Sequence, residues 1–190
     1  MVEQRDDRVA VVLPGGMYGP YAPLLMYPAD AAEARGAAIS EVNWHYPPDR
    51  DRLEDDEREP FVTGQVGPVL DRLAAERPGA PPLLIGKSLG TYAARMAAER
   101  GLPAVWLTPV LTSDAVLAGL RRATAPVLLI GGTADKRWDG DVARQLTPHV
   151  LEVAGADHGM YVPGPLAGST EVLGRVVTAV EDFLDYVVWR

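Results

Sequence analysis

Residues 83–90 read Leu-Leu-Ile-Gly-Lys-Ser-Leu-Gly, and the helix-forming stretch Thr91–Arg100 follows them at once. This order predicts a buried strand, a very tight turn with the spacing Gly-x-Ser-x-Gly, and then a helix. A serine on such a turn projects its hydroxyl away from the backbone at the start of the helix. The glycines let the strand and the helix approach closely. The same spacing also occurs in ordinary turns, so the rest of the sequence must decide between the two interpretations.

The size and the polarity of the chain predict one domain that spans residues 1–190. The 190 residues include 47% hydrophobic ones, which is enough to build a sizeable core. The sequence contains no apolar run long enough to cross a bilayer. Its first residues are charged and lack the apolar segment of a secretory signal. We therefore expect a cytoplasmic protein with no membrane partner.

The composition excludes several kinds of site. Cysteine is absent, which rules out disulfides, thiolate metal sites and a cysteine nucleophile. The histidines His45, His149 and His158 are too scattered for a zinc cluster, so we predict neither a metal nor a cofactor. The net charge of −8 would repel nucleic acids and anionic membrane surfaces.

Apolar runs and amphipathic stretches alternate along the chain. This alternation predicts an α/β fold, a three-layer α/β/α sandwich around a mostly parallel six-stranded sheet. The predicted strands are Val9–Leu13, Ile39–Trp44, Leu83–Ile85, Ala104–Leu107, Val127–Ile130 and His149–Val153. The predicted helices are Phe61–Arg77, Thr91–Arg100, Ser113–Arg122, Asp139–Leu146 and Thr170–Trp189.

Two further segments have a less regular pattern. Residues 20–35 favour a helix that is broken or bent at Pro23 and Pro28, because proline interrupts the helical hydrogen bonds. The segment Asp49–Pro60 is dense in charge, and we interpret it as a solvated loop or a helix edge.

Chemistry-bearing residues follow the predicted strands, where the carboxyl ends of a parallel sheet collect functional groups. Asp135 follows the strand Val127–Ile130, and His158 follows the strand His149–Val153. A serine hydroxyl needs a base such as neutral imidazole, and the imidazole in turn needs a carboxylate on its far nitrogen. We therefore predict Ser88 as nucleophile, His158 as base and Asp135 as acid. Alternative acids are Asp114, Asp139 and Asp157.

A serine that attacks a carbonyl also requires two donors for the oxyanion that forms. The backbone N–H of Leu89, at the start of the helix behind Ser88, is one candidate donor. The loop of residues 14–19 after the first strand provides the other, from Gly16 or Met17, with Met17 preferred. The alternative is that the glycines of this loop only form a turn at the end of the strand.

Other side chains near strand ends are candidates for the wall of a substrate pocket. The predicted substrate-binding residues are Tyr18, His45, Trp138 and Met160. An aromatic side chain at such a position is as often a packing residue. Lys87 is given no catalytic role, since nothing in the sequence shows it desolvated or paired.

Four segments together resemble the small α/β-hydrolases, and the similarity covers nearly the whole chain. They are residues 13–17 (Leu-Pro-Gly-Gly-Met), 86–91 (Gly-Lys-Ser-Leu-Gly-Thr), 131–135 (Gly-Gly-Thr-Ala-Asp) and 156–159 (Ala-Asp-His-Gly). The resemblance implies a Ser88-His158-Asp135 triad with an oxyanion hole at Leu89 and Met17 or Gly16. It also implies a minimal α/β-hydrolase fold that lacks the family's first two strands and a lid, and hence an open cleft.

The residues and the resemblance together predict a serine hydrolase, an esterase or thioesterase that forms an acyl-enzyme on Ser88. Its partner would be a small-molecule ester or thioester. The alternative is a protein of the same fold that does not hydrolyse its ligand, such as a biosynthetic cyclase, a lyase or a binding protein. A peptidase or amidase is less favoured, because the sequence offers no anchor for a substrate terminus.

Overall fold

The computed structural model describes residues 5, 7–47 and 53–190, and its strands form one parallel sheet. The strand order is β2-β1-β3-β4-β5-β6, and every neighbouring pair is parallel. The strands are β1 (Val9–Leu13), β2 (Ala38–Glu41), β3 (Leu83–Lys87), β4 (Ala104–Leu107), β5 (Val127–Gly132) and β6 (His149–Val153). The helices are α1 (Pro23–Glu33), α2 (Asp55–Glu76), α3 (Ala94–Arg100), α4 (Asp114–Arg121), α5 (Gly140–Leu146) and α6 (Leu166–Phe183).

Helices cover both faces of the sheet, which confirms the predicted three-layer architecture. Alternate residues of β3 point to opposite faces, so that Leu84 packs into one core and Leu83 and Ile85 into the other. The helices α2, α3, α4 and α5 cover the first core, and α1 and α6 cover the second. The four central strands are fully buried because both of their faces are covered.

The helix α1 is uninterrupted, which corrects the expectation of a break at Pro23 and Pro28. Pro23 occupies the first helical position, where a missing N–H breaks no hydrogen bond. Pro28 lies inside the helix and is buried. The burial of Leu24, Leu25 and Ala32 against the sheet offsets the hydrogen bond that Pro28 cannot make.

The helix α2 begins at Asp55, inside the charged segment and ahead of the predicted start at Phe61. Glu54 and Glu57 form a capping box there, and the Glu57 carboxylate accepts a hydrogen bond of 3.0 Å from the N–H of Glu54. The acidic first turn also suits the positive end of the helix dipole. The part of the charged segment at residues 49–52 lies outside the described residues.

The bounds of β1, β4 and β6 equal the predicted ones, and the other boundaries differ from them by a few residues. A 3-10 turn over Ser88–Ala93 precedes α3, and a π-helical turn over Leu184–Val188 follows α6, which begins at Leu166. β2 ends at Glu41, three residues before the predicted end at Trp44, whose Nε1 donates to the carbonyl of Pro14 at 3.0 Å.

Within residues 7–47 and 53–190, no separate lid covers the edge formed by the carboxyl ends of the strands. The helices and strands of these residues are the ones named above, together with the short turns that adjoin α3 and α6. In the same ranges, no helix combines the length and the apolarity that a bilayer crossing requires.

Candidate active site

Ser88 lies on the tight turn between β3 and the 3-10 turn, in a left-handed conformation with φ of 49°. A Cβ added to Gly86 would collide with the ring of Trp106, and one added to Gly90 would collide with the carbonyl of Leu13. Both glycines are therefore needed for the close approach of the turn to β1 and β4. The left-handed backbone of Ser88 is strained for a serine, and strain of this kind is typical of a functional turn.

The structure brings Ser88, His158 and Asp135 together in one hydrogen-bonded chain. His158 Nε2 lies 2.8 Å from Ser88 Oγ, and His158 Nδ1 lies 2.6 Å from Asp135 Oδ2. The Asp135 side chain is 1% exposed, whereas that of His158 is 29% exposed. The imidazole thus bridges a buried carboxylate and a hydroxyl at the cleft.

The environment of Asp135 favours its ionised form. Burial raises the pKa of this carboxyl, but the hydrogen bonds from His158 and from the N–H of Arg137 outweigh burial and leave the pKa below its usual range. An ionised Asp135 is an acceptor for the N–H of His158 Nδ1.

The alternative acids have other roles in the structure. Asp157 accepts hydrogen bonds from the N–H groups of Gly159 at 2.8 Å and Tyr161 at 3.0 Å, and so shapes the loop that carries the histidine. Asp139 caps the N-terminus of α5, and Asp114 lies in the first turn of α4. Among the described acids, only Asp135 bonds to the ring of His158.

The loop of residues 14–19 lies beside Ser88 and is held by a hydrogen bond from Tyr46, a residue outside the loop. The hydroxyl of Tyr46 donates to the carbonyl of Gly16 at 3.1 Å. Gly16, Met17 and Leu89 line the same cleft as Ser88. The N–H groups of Gly16 and Met17 have no acceptor among the described residues, and the side chain of Met17 is fully exposed. The backbone of this loop thus retains free donors next to the serine.

Ser88 opens into a cleft of about 440 Å³. Its lining combines apolar, aromatic and cationic side chains: Gly16, Met17, Tyr46, Leu53, Arg58, Ser88, Leu89, Tyr92, Val110 and Arg137. Arg58 comes from α2 and Arg137 from the loop that follows β5. A second cavity adjoins the cleft and shares Arg58, Tyr92, Val110 and Arg137 with it.

The predicted substrate-binding residues have different surroundings. Tyr18 and Met160 line a smaller cavity of about 220 Å³ beside the histidine loop. His45 is exposed at the surface and lines none of these cavities, and its N–H donates to Gln65 Oε1 at 2.9 Å. Trp138 is also absent from their lining, since its ring covers Gly131 and its Nε1 donates to Glu152 at 2.6 Å. Contact of His45 and Trp138 with a ligand is therefore not supported.

Lys87 is the main site residue that sequence reasoning missed. It is 3% exposed, its Nζ donates to the carbonyl of His158 at 3.0 Å, and it lies 4.7 Å from the ring centre of Tyr18. Burial lowers the pKa of Lys87 to about 8, although the charge of Asp135 opposes this shift. The alternation of β3 gives a signal for its burial, because Lys87 follows Leu83 and Ile85 on the same face.

Two other residues near strand ends have left-handed backbones. Thr108 directly follows β4 with φ of 43°, and Met160 in the histidine loop has φ of 63°. The hydroxyl of Thr108 is buried without a partner among the described residues. Strained residues thus collect at the edge of the sheet that carries Ser88. No cluster of three or more potential metal ligands occurs in the described part of the chain.

Comparison with known proteins identifies the fold. No protein-family model matches the chain. No curated protein matches it either. A serine hydrolase without a lid from Xanthomonas campestris has a TM-score of 0.66 and 17% identity over 98% of this chain and 88% of that one. A putative α/β hydrolase from Agrobacterium tumefaciens gives a TM-score of 0.71 and 17% identity over 96% and 88% of the two chains.

An esterase-like neighbour has been solved with a ligand. Est1E from Butyrivibrio proteoclasticus with bound ferulic acid has a TM-score of 0.70 and 14% identity over 98% of this chain and 92% of its own. At these identities the likeness concerns the fold alone. The chain therefore has the fold of the small, lidless α/β-hydrolases, as the sequence motifs predict.

Proposed function

We propose that this protein is a serine hydrolase that cleaves a carboxylic ester or thioester of a small molecule through an acyl-enzyme on Ser88. The observation that carries the proposal is the hydrogen-bonded chain from Ser88 Oγ through the ring of His158 to Asp135, with contacts of 2.8 Å and 2.6 Å. Each neighbour in this chain is within the reach that proton transfer requires.

In the first half of the reaction, Ser88 Oγ attacks the carbonyl carbon and its proton passes to His158 Nε2. Asp135 accepts the Nδ1–H bond and stabilises the imidazolium that forms. The oxyanion of the tetrahedral intermediate accepts hydrogen bonds from the N–H groups of Leu89 and of Met17 or Gly16. When the intermediate collapses, His158 gives the proton to the departing alcohol or thiol, and the acyl group stays on Ser88.

In the second half, water enters the cleft and attacks the acyl carbon. His158 takes a proton from this water, and the oxyanion forms again at the same donors. Collapse breaks the bond to Ser88 Oγ, which recovers its proton from His158, and the carboxylic acid leaves. The open cleft above Ser88 suits this step, because water can reach the acyl group directly.

The likeness in fold to hydrolases and esterases supports a hydrolase that acts on small molecules. The ester or thioester bond is proposed from the sequence and from the site described above. The cytoplasmic location is proposed from the sequence alone.

The direct test is labelling of Ser88 by a fluorophosphonate probe in the folded protein. We expect the wild type to be labelled and the Ser88→Ala variant not to be labelled, since phosphonylation needs the activated hydroxyl. Turnover of p-nitrophenyl esters and acyl thioesters of graded chain length then defines the acyl preference. Ester turnover that survives in Ser88→Ala would reject the acyl-enzyme on Ser88, and a wild type that resists the probe would favour the non-hydrolytic alternative.

A further inference from the structure

We infer, on the basis of the proposed function, that the substrate carries an anionic oxygen group, a carboxylate or a phosphate, that Arg58 and Arg137 bind in the cleft of Ser88. Both guanidinium groups belong to the lining of this cleft, which includes no acidic side chain among the described residues. The proposal adds a class of substrate to the reaction proposed above.

The positive lining does not follow from the overall composition. The chain has 18 basic and 26 acidic residues, and its net charge of −8 repels anions at long range. Arginine is nevertheless placed on the wall of the Ser88 cleft from two distant parts of the chain, α2 and the loop after β5. The adjoining cavity, which shares both arginines, also contains Asp55 and Asp114, whereas the charged side chains that line the Ser88 cleft itself are these two arginines. Their position indicates a preference for anions next to Ser88.

Arg137 has the donors for such a ligand. Its backbone is fixed, because its N–H donates to Asp135 Oδ1 at 3.0 Å. Its guanidinium has no carboxylate within 4.0 Å among the described residues. Arginine stays protonated under all working conditions and presents a planar set of donors that matches a carboxylate or a phosphate.

Arg58 is held in the same lining as Arg137. Its guanidinium pairs with Asp55 one turn earlier on α2 and lies 3.4 Å from the hydroxyl of Tyr92. Its side chain is 30% exposed, whereas that of Asp55 is 87% exposed. The ion pair, the contact with Tyr92 and a bond of 3.4 Å to the carbonyl of Leu53 together hold the guanidinium in the lining of the cleft.

The smaller cavity beside the histidine loop lacks this charge. Its lining consists of uncharged side chains that include Tyr18, Leu24, Met160 and Leu173. A substrate with one apolar and one anionic end therefore finds different surroundings in the smaller cavity and in the Ser88 cleft. The anionic end belongs on the side of Arg58 and Arg137.

The test compares three esters: phenyl hexanoate, the monophenyl ester of adipic acid and 4-carboxyphenyl hexanoate. The second carries a carboxylate on the acyl group, and the third carries it on the leaving group. We expect kcat/KM for at least one anionic ester to exceed that for phenyl hexanoate by about tenfold or more, as hydrogen bonds to charged groups allow. The arm that responds shows which part of the substrate bears the anion.

Variants connect the preference to the two arginines. Arg137→Gln should lower the ratio of anionic to neutral kcat/KM by about tenfold, and Arg58→Gln should lower it as well. Arg137→Lys should keep part of the preference, because the charge remains while the planar donors are lost. The matched control is Arg100→Gln, which removes an arginine of similar exposure, paired with Asp71, from the last turn of α3. That variant should keep the wild-type ratio.

The failure of this inference differs from the failure of the proposed function. Ser88-dependent turnover of phenyl hexanoate without any preference for the anionic esters would overturn only the inference. If no ester is turned over, binding of the esters to the Ser88→Ala variant still tests the anion site. An uncleaved anionic ester should raise the melting temperature of this variant more than phenyl hexanoate does. Equal shifts for both esters, or shifts that persist when Arg137→Gln is added, would reject the anion site.

Discussion

The ammonium group of Lys87 donates to the carbonyl of His158 at 3.0 Å, so a buried cation holds the backbone of the histidine that faces Ser88. Tyr18, 4.7 Å away at its ring centre, covers the same group. The pKa of Lys87 is also affected by the charges of Asp135, Arg137 and Asp157. Burial lowers the pKa of Lys87 to about 8, well below that of lysine in an unfolded chain.

This shift predicts a specific dependence of stability on pH. Between about pH 8 and pH 10.5 the unfolded chain binds a proton at Lys87 that the folded chain has lost, so the free energy of unfolding should rise with pH. The contribution of Lys87 reaches at most about 1.4 kcal/mol per pH unit. Below pH 8 both states are protonated and the contribution is constant.

The measurement is chemical denaturation of the wild type and of Lys87→Met between pH 7 and pH 10. The difference between their unfolding free energies should change in favour of the wild type as the pH rises. The control is Lys136→Met, which removes an exposed lysine and should follow the wild type. A constant difference between wild type and Lys87→Met over this range would contradict the prediction.

Tyr46 provides a test of the loop beside Ser88. Its hydroxyl holds the carbonyl of Gly16 at 3.1 Å, and its ring stacks on Phe61 at 4.9 Å between centres. Tyr46→Phe keeps the stacking and removes the hydrogen bond, so the donors at Gly16 and Met17 should lose their fixed position. We expect kcat for ester hydrolysis to fall by about threefold to tenfold, the size of one hydrogen bond.

Tyr21→Phe is the matched control for that variant, because it also removes one hydroxyl bond, from Tyr21 to Glu41 at 2.9 Å, away from the Ser88 cleft. Its kcat should equal that of the wild type. If the two variants lose the same activity, the bond from Tyr46 to Gly16 has no part in positioning the loop.

The tight turn at Ser88 should tolerate no side chain at Gly86. A Cβ at this position overlaps the ring of Trp106, which is buried and has no room to move. We expect Gly86→Ala to destabilise the fold by about 2 to 4 kcal/mol, as overpacking of a rigid core does. Urea denaturation measures the loss.

Gly64→Ala is the control, because Gly64 lies on α2 where an added Cβ meets nothing within 4 Å. Alanine favours a helix over glycine, so this variant should be more stable than the wild type by about 0.5 to 1 kcal/mol. A Gly86→Ala protein as stable as Gly64→Ala would show that the turn has space the structure does not indicate.

The same property of the sequence predicts the sheet and the meeting of Ser88, His158 and Asp135 at one edge of it. Buried parallel strands are continuous apolar runs, and their carboxyl ends meet at one edge. The bounds of β1, β4 and β6 are therefore as predicted. The start of α2 is not, because the capping box at Glu54 and Glu57 overrides the interpretation of a charged stretch as a loop.

The wall of the cleft is less predictable, because it depends on contacts between distant segments. Nothing local to Arg58 indicates that α2 turns this residue towards Ser88, some thirty residues later in the chain. His45 follows a predicted strand as Ser88 does, but β2 ends four residues before it and leaves its side chain in solvent. Position after a strand is thus a sound guide only where the strand itself continues to the edge.

Asp135→Asn should abolish most of the activity while leaving the fold intact. Asparagine has the same shape, but its amide can donate a hydrogen bond to His158 Nδ1 and so favour the wrong tautomer, and it does not stabilise the imidazolium. We expect kcat to fall by about 10⁴-fold, as when a triad aspartate is replaced elsewhere. Asp139→Asn is the control, since asparagine caps α5 as well as aspartate does and the activity should remain. Steady-state kinetics with circular dichroism as a check of folding measures both, and full activity in Asp135→Asn would remove this residue from the proposed mechanism.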